Sequence, residues 1–215
     1  MTIRTGVPSS EYARGWDKIY NKDTVDRRPE IGYITTFTGK VVFFEDPDPE
    51  SIDIRDIAHA LSQQCRFAGH TRRFLSVAEH SILVSLQCGE YALEGLFHDA
   101  SEAYMVDMPT PIKRKMSNYK DYENRLMKAI FTKFNLQYPL PQIVHDADTA
   151  QLVKEARALV TLSDWTDEYV LKMSGLEPYC IRSEDAETQF LRMFNKLMEA
   201  RNAGNNSGGT ATNRA

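Results

Sequence analysis

The pattern of apolar residues changes character near residue 50. Between residues 31 and 44, β-branched and aromatic residues flank Thr38-Gly39, and the motif Asp46-Pro47-Asp48-Pro49 follows. Such residues around a glycine-containing turn are typical of a β-hairpin, and the prolines end the second strand. From Ile52 onward, apolar residues recur at one-turn spacing, as Ile54, Ile57 and Leu61 do, which predicts helix. The chain therefore predicts one small hairpin followed by helices.

The helical periodicity continues almost to the end of the chain. Beyond the helix that starts near residue 52, it predicts helices over about 77–88, 91–105, 119–134, 141–162 and 184–200. Pro109 and Pro111 end the helix over 91–105, and Ser183 is a suitable N-cap for the last one. The predicted fold class is all-α, a helical bundle with a small N-terminal β-hairpin.

The organisation follows from the same pattern. The chain has 215 residues with 42% hydrophobic content, enough for one substantial core. We expect an N-terminal extension with the hairpin at 1–50, its first 30 residues polar and irregular, and a helical domain at 51–202. Residues 203–215 lack apolar periodicity and are typical of a flexible tail.

Charge and cysteine content limit the partners. The formal net charge of -4 gives no general attraction to nucleic-acid polymers or to membranes. Cys65, Cys88 and Cys180 are scattered and odd in number, which favours neither a disulfide framework nor a CxxC zinc site. The N-terminus lacks the apolar region of a signal peptide, and no run approaches the ~18 apolar residues of a transmembrane helix. We therefore expect a cytoplasmic protein.

Ionisable side chains concentrate in one short segment. His98 and Asp99 are adjacent, and Glu102 follows at the spacing that returns to the same helix face. His80 lies one helix earlier, and Asp148 lies among apolar positions of the penultimate helix. Carboxylates in apolar surroundings are costly unless they are paired or bind a metal. One divalent cation would satisfy this mixed imidazole and carboxylate set, which suits Mn, Fe, Co, Ni or Zn.

Each of these residues also has a purely structural interpretation. An isolated histidine near an apolar helix face is usually a hydrogen-bonded core residue, and this applies to His59 and His145. The adjacent His98 and Asp99 can arise by chance, and Glu102 can be a solvated surface carboxylate. The joint pattern of spaced histidines and carboxylates is what favours a metal site.

Four motifs carry a resemblance to a known family. They occur in order within about residues 66–162 and are Ala78-Glu79-His80-Ser81, His98-Asp99-Ala100-Ser101-Glu102, Val106-Asp107-Met108-Pro109-Thr110-Pro111 and Ala147-Asp148. The chain resembles the HD-domain phosphohydrolases, and more closely the YfbR-like 5′-deoxynucleotidases and related phage-encoded HD nucleotide hydrolases. It departs from their pattern in having Val106 where the family has glycine, and in the hairpin region, which the compact bacterial nucleotidases lack.

The resemblance implies a metal site and a catalytic group. It implies that His80, His98, Asp99 and Asp148 bind one divalent metal ion, which could be Mn, Co, Zn, Fe, Ni or Mg. It also implies that Glu102 is the catalytic carboxylate, and its predicted position one turn from the ligands suits that role. Homo-oligomers are a further implication.

The resemblance also suggests contacts with a nucleotide substrate. Arg66 lies near the position of the family's Arg-Trp pair, and a guanidinium binds phosphate through two parallel hydrogen bonds. Phe67 could stack on a base or sugar in place of the tryptophan. Asp107 matches a residue implied to contact the sugar hydroxyl, although it could equally form a turn. His70 and Lys113 are further cationic candidates, for which a solvated surface position is the alternative.

The expected function is metal-dependent hydrolysis of the 5′-phosphate of (deoxy)nucleotides, with deoxynucleoside 5′-monophosphates as the first choice. Two alternatives stay open. One is a deoxynucleoside triphosphate triphosphohydrolase of the dATP type found in phages, and the other is a non-catalytic nucleotide-binding HD sensor. The chain has no P-loop, no GxSxG elbow and no GxGxxG loop, which excludes the commonest competing nucleotide chemistries.

Overall fold

The computed structural model describes residues 32–161 and 175–207. The chain divides into two compact units, Met1–Gly32 and Tyr33–Ala215. Apart from its last residue, the first unit lies outside the described residues, and so do the residues predicted to be irregular at 1–30. The hairpin and the helices belong to the second unit. The predicted domain boundaries after residues 50 and 202 remain predictions.

The predicted hairpin is confirmed. Strands β1 (Tyr33–Thr35) and β2 (Val41–Phe43) pair antiparallel. Gly39 has a φ of +84° in the turn, a conformation that glycine adopts without strain. The backbone N–H and the hydroxyl of Thr38 donate to the carboxylate of Asp56, over 2.7 and 2.8 Å. These bonds fix the turn to the first helix of the bundle.

The remaining described elements are helical, which confirms the predicted fold class. Short 3-10 turns occupy Pro49–Ser51, Arg66–Gly69 and Gly89–Tyr91. The α-helices are α1 (Ile54–Gln63), α2 (Val77–Ser85), α3 (Ala92–Phe97), α4 (Glu102–Met105), α5 (Thr110–Lys113), α6 (Tyr119–Lys133), α7 (Gln142–Leu159) and α8 (Ser183–Ser207).

The single helix predicted over 91–105 is wrong, because residues 98–101 form a turn between α3 and α4. The Nδ1 of His98 donates to the carbonyl of Gly95 over 2.8 Å, and the backbone N–H of Glu102 bonds only three residues back, to Asp99, over 2.9 Å. This tighter bonding interrupts the regular α-helix. His98 and Asp99 therefore lie in the turn immediately before α4 and not on one continuous helix face.

The last helix is longer than predicted. The expected end near residue 200 is passed, and α8 continues to Ser207, so the first residues of the segment predicted to be a flexible tail are helical. Residues 208–215 of that segment lie outside the described residues. Among the described residues, no helix is both long and apolar enough to cross a membrane.

The core lies where α8 packs across α1, α2 and α3. Helix α2 is buried along its whole length, in contrast to an ordinary amphipathic surface helix. Its histidine, His80, is completely inaccessible to solvent. The largest fully buried side chains around α2 include Ile57, Leu61, Phe97, Leu126, Ile130 and Phe190.

A buried carboxylate anchors α2 to the segment that leads into α8. The Ser76 hydroxyl caps α2 by accepting from the backbone N–H of Glu79 over 3.0 Å. The Glu79 carboxylate in turn accepts backbone N–H groups of residues 179–181, over 2.7 to 2.9 Å. Because Glu79 precedes His80, this anchor lies directly beside a candidate metal ligand.

Val106, at the position where the family has glycine, is strained. Its φ of +69° and ψ of 152° fall in a region that is nearly exclusive to glycine, while 56% of the residue is exposed. Its carbonyl accepts a hydrogen bond from Tyr119, a backbone contact that any residue would keep. Val106→Gly should raise the free energy of unfolding by about 1 kcal/mol, because strain is lost and little packing is lost with it.

Differential scanning calorimetry measures this effect, and we expect a Tm increase of roughly 2–4 °C per kcal/mol for a chain of this size. Val160→Gly is the matched control, because Val160 has an ordinary φ of -106° and its replacement should lower the Tm. An unchanged or lower Tm for Val106→Gly would contradict the strain argument.

Candidate metal and active site

The structure brings the sequence-predicted metal ligands together. His80, His98 and Asp99 each offer a ligand atom, and these atoms lie within 4.8 Å of one another. The Nε2 atoms of the two imidazoles are 3.2 Å apart. Asp148 joins them, with its Oδ1 atom 3.1 Å from Nε2 of His80 and 3.6 Å from Nε2 of His98. Turn and helix residues from three parts of the chain therefore converge on one point.

The hydrogen bonds that the two imidazoles make through Nδ1 leave their Nε2 atoms facing each other. Nδ1 of His98 donates to a backbone carbonyl, and Nδ1 of His80 donates to the buried carboxylate of Glu155 over 2.9 Å. A neutral imidazole that donates from Nδ1 presents a lone pair at Nε2. Two such lone pairs then face the oxygens of Asp99 and Asp148. Acceptors that face acceptors repel unless a proton or a metal ion lies between them, and a donor set of two imidazoles and two carboxylates fits a divalent metal.

Close helix packing sets the separation of the two histidines. A Cβ atom on Gly95 would lie 2.7 Å from the sulfur of Cys88 and 3.1 Å from the Cα atom of Ser85. Only glycine allows α3 to approach α2 this closely. Gly95 also supplies the carbonyl that orients His98. One residue therefore fixes both the position of α3 and the direction of its ligand.

The electrostatics of the cluster favour a cation. Burial alone would lower the pKa of His98, but the neighbouring carboxylates of Asp99 and Asp148 raise it well above 6.5, so a proton is favoured there when no metal ion is bound. Burial also opposes ionisation of Asp148, yet the neighbouring His80 and His98 rings, when protonated, hold the pKa of that carboxyl below its usual range. The acidic groups thus stabilise positive charge at the centre of the cluster.

Glu102 lies beside the ligands as a buried acid. Only 5% of the residue is exposed, and its Oε2 atom has no hydrogen-bond partner among the described residues. Its Oε1 atom is 3.7 Å from Nζ of Lys113. Burial, followed by the charges of Asp99 and Asp107, raises the pKa of Glu102 well above its usual range. The side chain therefore keeps its proton to higher pH than an ordinary glutamate and is suited to donate it.

Arg66 lies beside the ligand cluster, and the ring of Phe67 lies next to its guanidinium. The Arg66 guanidinium is buried, and its Nη1 atom is 3.5 Å from Oδ2 of Asp99. The guanidinium carbon lies 5.6 Å from the ring centre of Phe67, a cation-π distance. Phe67 has a φ of +54°, so the backbone turns sharply at this point. The stacking of Phe67 on a base or sugar stays a prediction.

The other predicted substrate contacts divide into two groups. Asp107 and Lys113 lie next to Glu102: the Gln64 side chain links the carbonyl of Glu102 to the N–H of Asp107, over 2.8 Å in each bond. His70 is exposed at the end of its 3-10 turn, where its backbone N–H bonds to Phe67. The structure therefore places Asp107 and Lys113 beside the acid and leaves His70 on the surface.

A polar cavity of about 230 Å³ opens beside the ligands. Its walls come from the ligand cluster, from α6, from α7 and from the segment before α7. It is lined by His98, Asp99, Ser101, Glu123, Asn124, Met127, Tyr138, Leu140, His145 and Asp148. Among these described lining residues there is no lysine or arginine. Glu123 accepts a hydrogen bond from Lys113, which connects the cavity wall to the surroundings of Glu102.

His59 and His145, each of which has a structural interpretation as its alternative, lie in different surroundings. His59 pairs with Glu187 over 3.0 Å and stacks on Phe37, so the structural interpretation accounts for it. His145 is exposed and lines the cavity beside Asp148, three residues further along α7. The core position considered for His145 is therefore wrong, because the helix face that carries it opens toward the cavity.

Sequence reasoning missed the buried partner of His80. Glu155 is completely buried on α7 and lies seven residues after Asp148. That spacing corresponds to two helical turns and places both carboxylates on one face. An acidic residue on the apolar face of a helix, in register with a predicted ligand, is the sequence signal that could have found it.

A helical bundle with this H…HD…D cluster defines the class of HD-type nucleotide phosphohydrolases. The chain belongs to the YfbR-like 5′-deoxynucleotidase family, whose model matches residues 64–199. It is similar to "Uncharacterized protein YfdR" of Escherichia coli (strain K12), with 42% identity over 178 residues that cover 80% of this chain and 98% of that protein. It is also similar to "Uncharacterized protein RCAP_rcc00048" of Rhodobacter capsulatus, with 34% identity over 142 residues, 59% of this chain and 72% of that protein.

Proposed function

We propose that this protein hydrolyses the 5′-phosphate of deoxynucleoside 5′-monophosphates, with one divalent cation held by His80, His98, Asp99 and Asp148. The observation that carries the proposal is the position of the polar cavity. It shares His98, Asp99 and Asp148 with the ligand cluster, so a phosphate at the cluster would have its organic part beside these walls. Membership of the YfbR-like family supports the same reaction class.

The charge of the cavity walls favours monophosphates over triphosphates. Besides the ligand carboxylates, the lining contains Glu123, and it contains no lysine or arginine among its described residues. The two nearby cations share their charge with carboxylates, Arg66 with Glu155 and Lys113 with Glu123, so little positive charge is left for a second and third phosphate. A triphosphate would bring several additional negative charges to acidic walls, whereas an uncharged nucleoside would meet hydroxyl, amide and imidazole groups.

The side chains around the cluster have distinct roles in this proposal. A bound divalent cation would supply Lewis-acid polarisation of the phosphate and an acidified water nucleophile. Arg66 offsets part of the negative charge that develops on the phosphate. Glu102, whose pKa is raised by burial, gives its proton to the leaving 5′-oxygen of the nucleoside. Asp107, beside Glu102, contacts the sugar hydroxyl.

Product analysis tests the proposal. The purified protein is incubated with dAMP or dATP in the presence of Mn²⁺ or Co²⁺, and the products are separated by chromatography. We expect deoxyadenosine and phosphate from dAMP, and slow or no turnover of dATP. Inorganic triphosphate from dATP would instead support the triphosphohydrolase alternative.

A nucleotide-binding sensor would give a third pattern in that assay. It would bind dAMP or dATP without releasing phosphate from either, with or without metal, and this result would overturn the proposal. The same preparation provides the oligomeric state by light scattering, for which the family resemblance predicts a homo-oligomer. The cytoplasmic location also remains a prediction.

A further inference from the structure

We propose that Glu155 is a positioning residue of this site, which aligns His80 toward the cation and holds the Arg66 guanidinium beside Asp99, where it would meet the phosphate. The inference rests on the proposed function for the identity of the cation site. Glu155 has no solvent-exposed surface. A carboxylate in such a place is costly unless several donors surround it. The donors that surround this one are the side chains of functional residues.

The carboxylate lies between the imidazole and the guanidinium. Its Oε1 and Oε2 atoms are 2.9 and 3.1 Å from Nδ1 of His80. Oε2 also accepts from Nε of Arg66 over 3.2 Å, and Oε1 accepts from Nε2 of Gln151 over 3.0 Å. Both oxygens are therefore shared between His80 and a second donor. No rotation of the carboxylate would improve one contact without weakening another.

This arrangement determines what His80 and Arg66 present to the site. With Nδ1 of His80 occupied by Glu155, the ring turns Nε2 toward His98 and Asp148, at 3.2 and 3.1 Å. With Nε of Arg66 occupied, the outer Nη1 atom faces Asp99. Carboxylates that accept from the second nitrogen of a ligating histidine fix its tautomer and increase its basicity. Glu155 does this for the ligand and orients a cation at the same time.

Glu155 is itself held by a second buried side chain. The amide of Gln151 accepts from the backbone N–H of Leu176 over 2.9 Å and donates to the carbonyl of Leu176 over 3.0 Å. A Cβ atom on Gly175 would lie 2.8 Å from the carbonyl oxygen of Ala150, so glycine permits this close approach. The Gln151 amide is therefore held by the backbone of Leu176 and also donates to Glu155. The packing of α7 against this segment thus sets the orientation of the Glu155 carboxylate.

The test compares Mn²⁺ affinity by isothermal titration calorimetry, without substrate, in the wild type, Glu155→Gln and Glu187→Gln. The glutamine amide keeps one acceptor oxygen, replaces the other with an NH2 group that faces the donor of either Arg66 or Gln151, and carries no charge, so the contact with Nδ1 of His80 is weakened. We expect Mn²⁺ affinity to fall about 10- to 100-fold, the usual effect of losing an outer-sphere partner. Glu187 is the matched control, because it also pairs with a histidine, His59, at 3.0 Å. Its variant should bind Mn²⁺ as the wild type does.

A second measurement needs no variant. In two-dimensional ¹H–¹⁵N spectra of the wild-type imidazoles, with and without Zn²⁺, the His80 ring should carry its proton at Nδ1, bonded to Glu155. Circular dichroism shows whether Glu155→Gln folds. If it does not fold, the spectra decide: a His80 ring without a proton at Nδ1 overturns the positioning role, and a protonated Nδ1 supports it.

The outcomes separate the two proposals. Wild-type affinity for Mn²⁺ in folded Glu155→Gln refutes the positioning role of Glu155 and leaves the proposed function intact. If the wild type neither binds Mn²⁺ nor releases phosphate, the proposed function fails, whatever the tautomer of His80 is. Equal weakening in Glu155→Gln and Glu187→Gln would show a general loss of stability and would also count against the positioning role.

Discussion

Asp148→Asn is expected to abolish metal-dependent phosphate release. The Oδ1 atom of Asp148 is the acceptor that faces both imidazoles, and an amide in its place contributes no negative charge to the cation. Loss of an inner ligand should weaken Mn²⁺ binding by more than the about 10- to 100-fold typical of outer-sphere partners. Turnover of dAMP should fall to background. Calorimetric titration with Mn²⁺ and a phosphate-release assay measure the two effects.

The same helix provides the control for this variant. Asp146 is exposed on α7, and its Oδ1 atom accepts from the side chain of Gln142 over 2.9 Å. Asp146→Asn removes one negative charge two residues from Asp148 without touching the cluster, so its metal binding and turnover should match the wild type. Retention of wild-type activity by Asp148→Asn would remove Asp148 from the ligand set.

Glu102→Gln is expected to lose catalysis while keeping the metal. The amide preserves the shape of the side chain but has no acidic proton to give to the leaving oxygen. General acid catalysis contributes about 10²- to 10⁴-fold, so kcat for dAMP should fall within that range. Mn²⁺ affinity should change little, because the carboxylate of Glu102 lies 3.7 Å from Nζ of Lys113 and is not one of the four proposed ligands. Steady-state kinetics at saturating Mn²⁺ provide the comparison.

The pH dependence of kcat tests whether Glu102 acts as an acid. Burial and the charges of Asp99 and Asp107 raise the pKa of Glu102, so the acid form persists to higher pH than in an ordinary glutamate. The required form is the protonated one, and the wild-type rate should therefore fall as the pH rises through this raised pKa. Glu102→Gln should lack that alkaline decline. As a control, Asp121→Asn on the exposed surface of α6 should keep both the rate and the decline.

A Glu102→Gln enzyme with the wild-type rate would show that another group donates the proton. A variant that loses Mn²⁺ as well as activity would instead show that Glu102 supports the ligands and not the chemistry. These two results lead to different revisions, and the combination of kinetics with calorimetry distinguishes them.

Sequence reasoning was strongest where chemistry and periodicity coincide. The hairpin around Gly39 follows from turn chemistry, and most helices follow from their apolar spacing. His80, His98, Asp99 and Asp148 were predicted together because ordered polar motifs interrupt apolar helices at family-like intervals. Their convergence in the structure is consistent with that prediction.

What was missed depends on contacts between distant segments. Residues 98–101 form a turn because the His98 side chain donates a hydrogen bond to the carbonyl of Gly95. The spacing of apolar residues does not indicate such a bond. The role of Glu155 depends on its lying opposite His80, 75 residues away in sequence. Neither relation is a property of any local window. The spacing from Asp148 marks Glu155 as a candidate, but its partner His80 is identified only once the helix packing is known.

The anchoring of residues 179–181 by Glu79 has a consequence for the order of events during synthesis. These contacts join residues 100 to 102 positions apart, and the carboxylate beside His80 cannot be satisfied until the far segment has emerged. Contacts between distant segments form late because the closure of long loops is entropically unfavourable. When Asp148 has left the ribosome, the growing chain therefore contains all four proposed ligands, but the contacts of Glu79 with residues 179–181 have not yet formed. Metal acquisition is expected only near the end of translation, or after release.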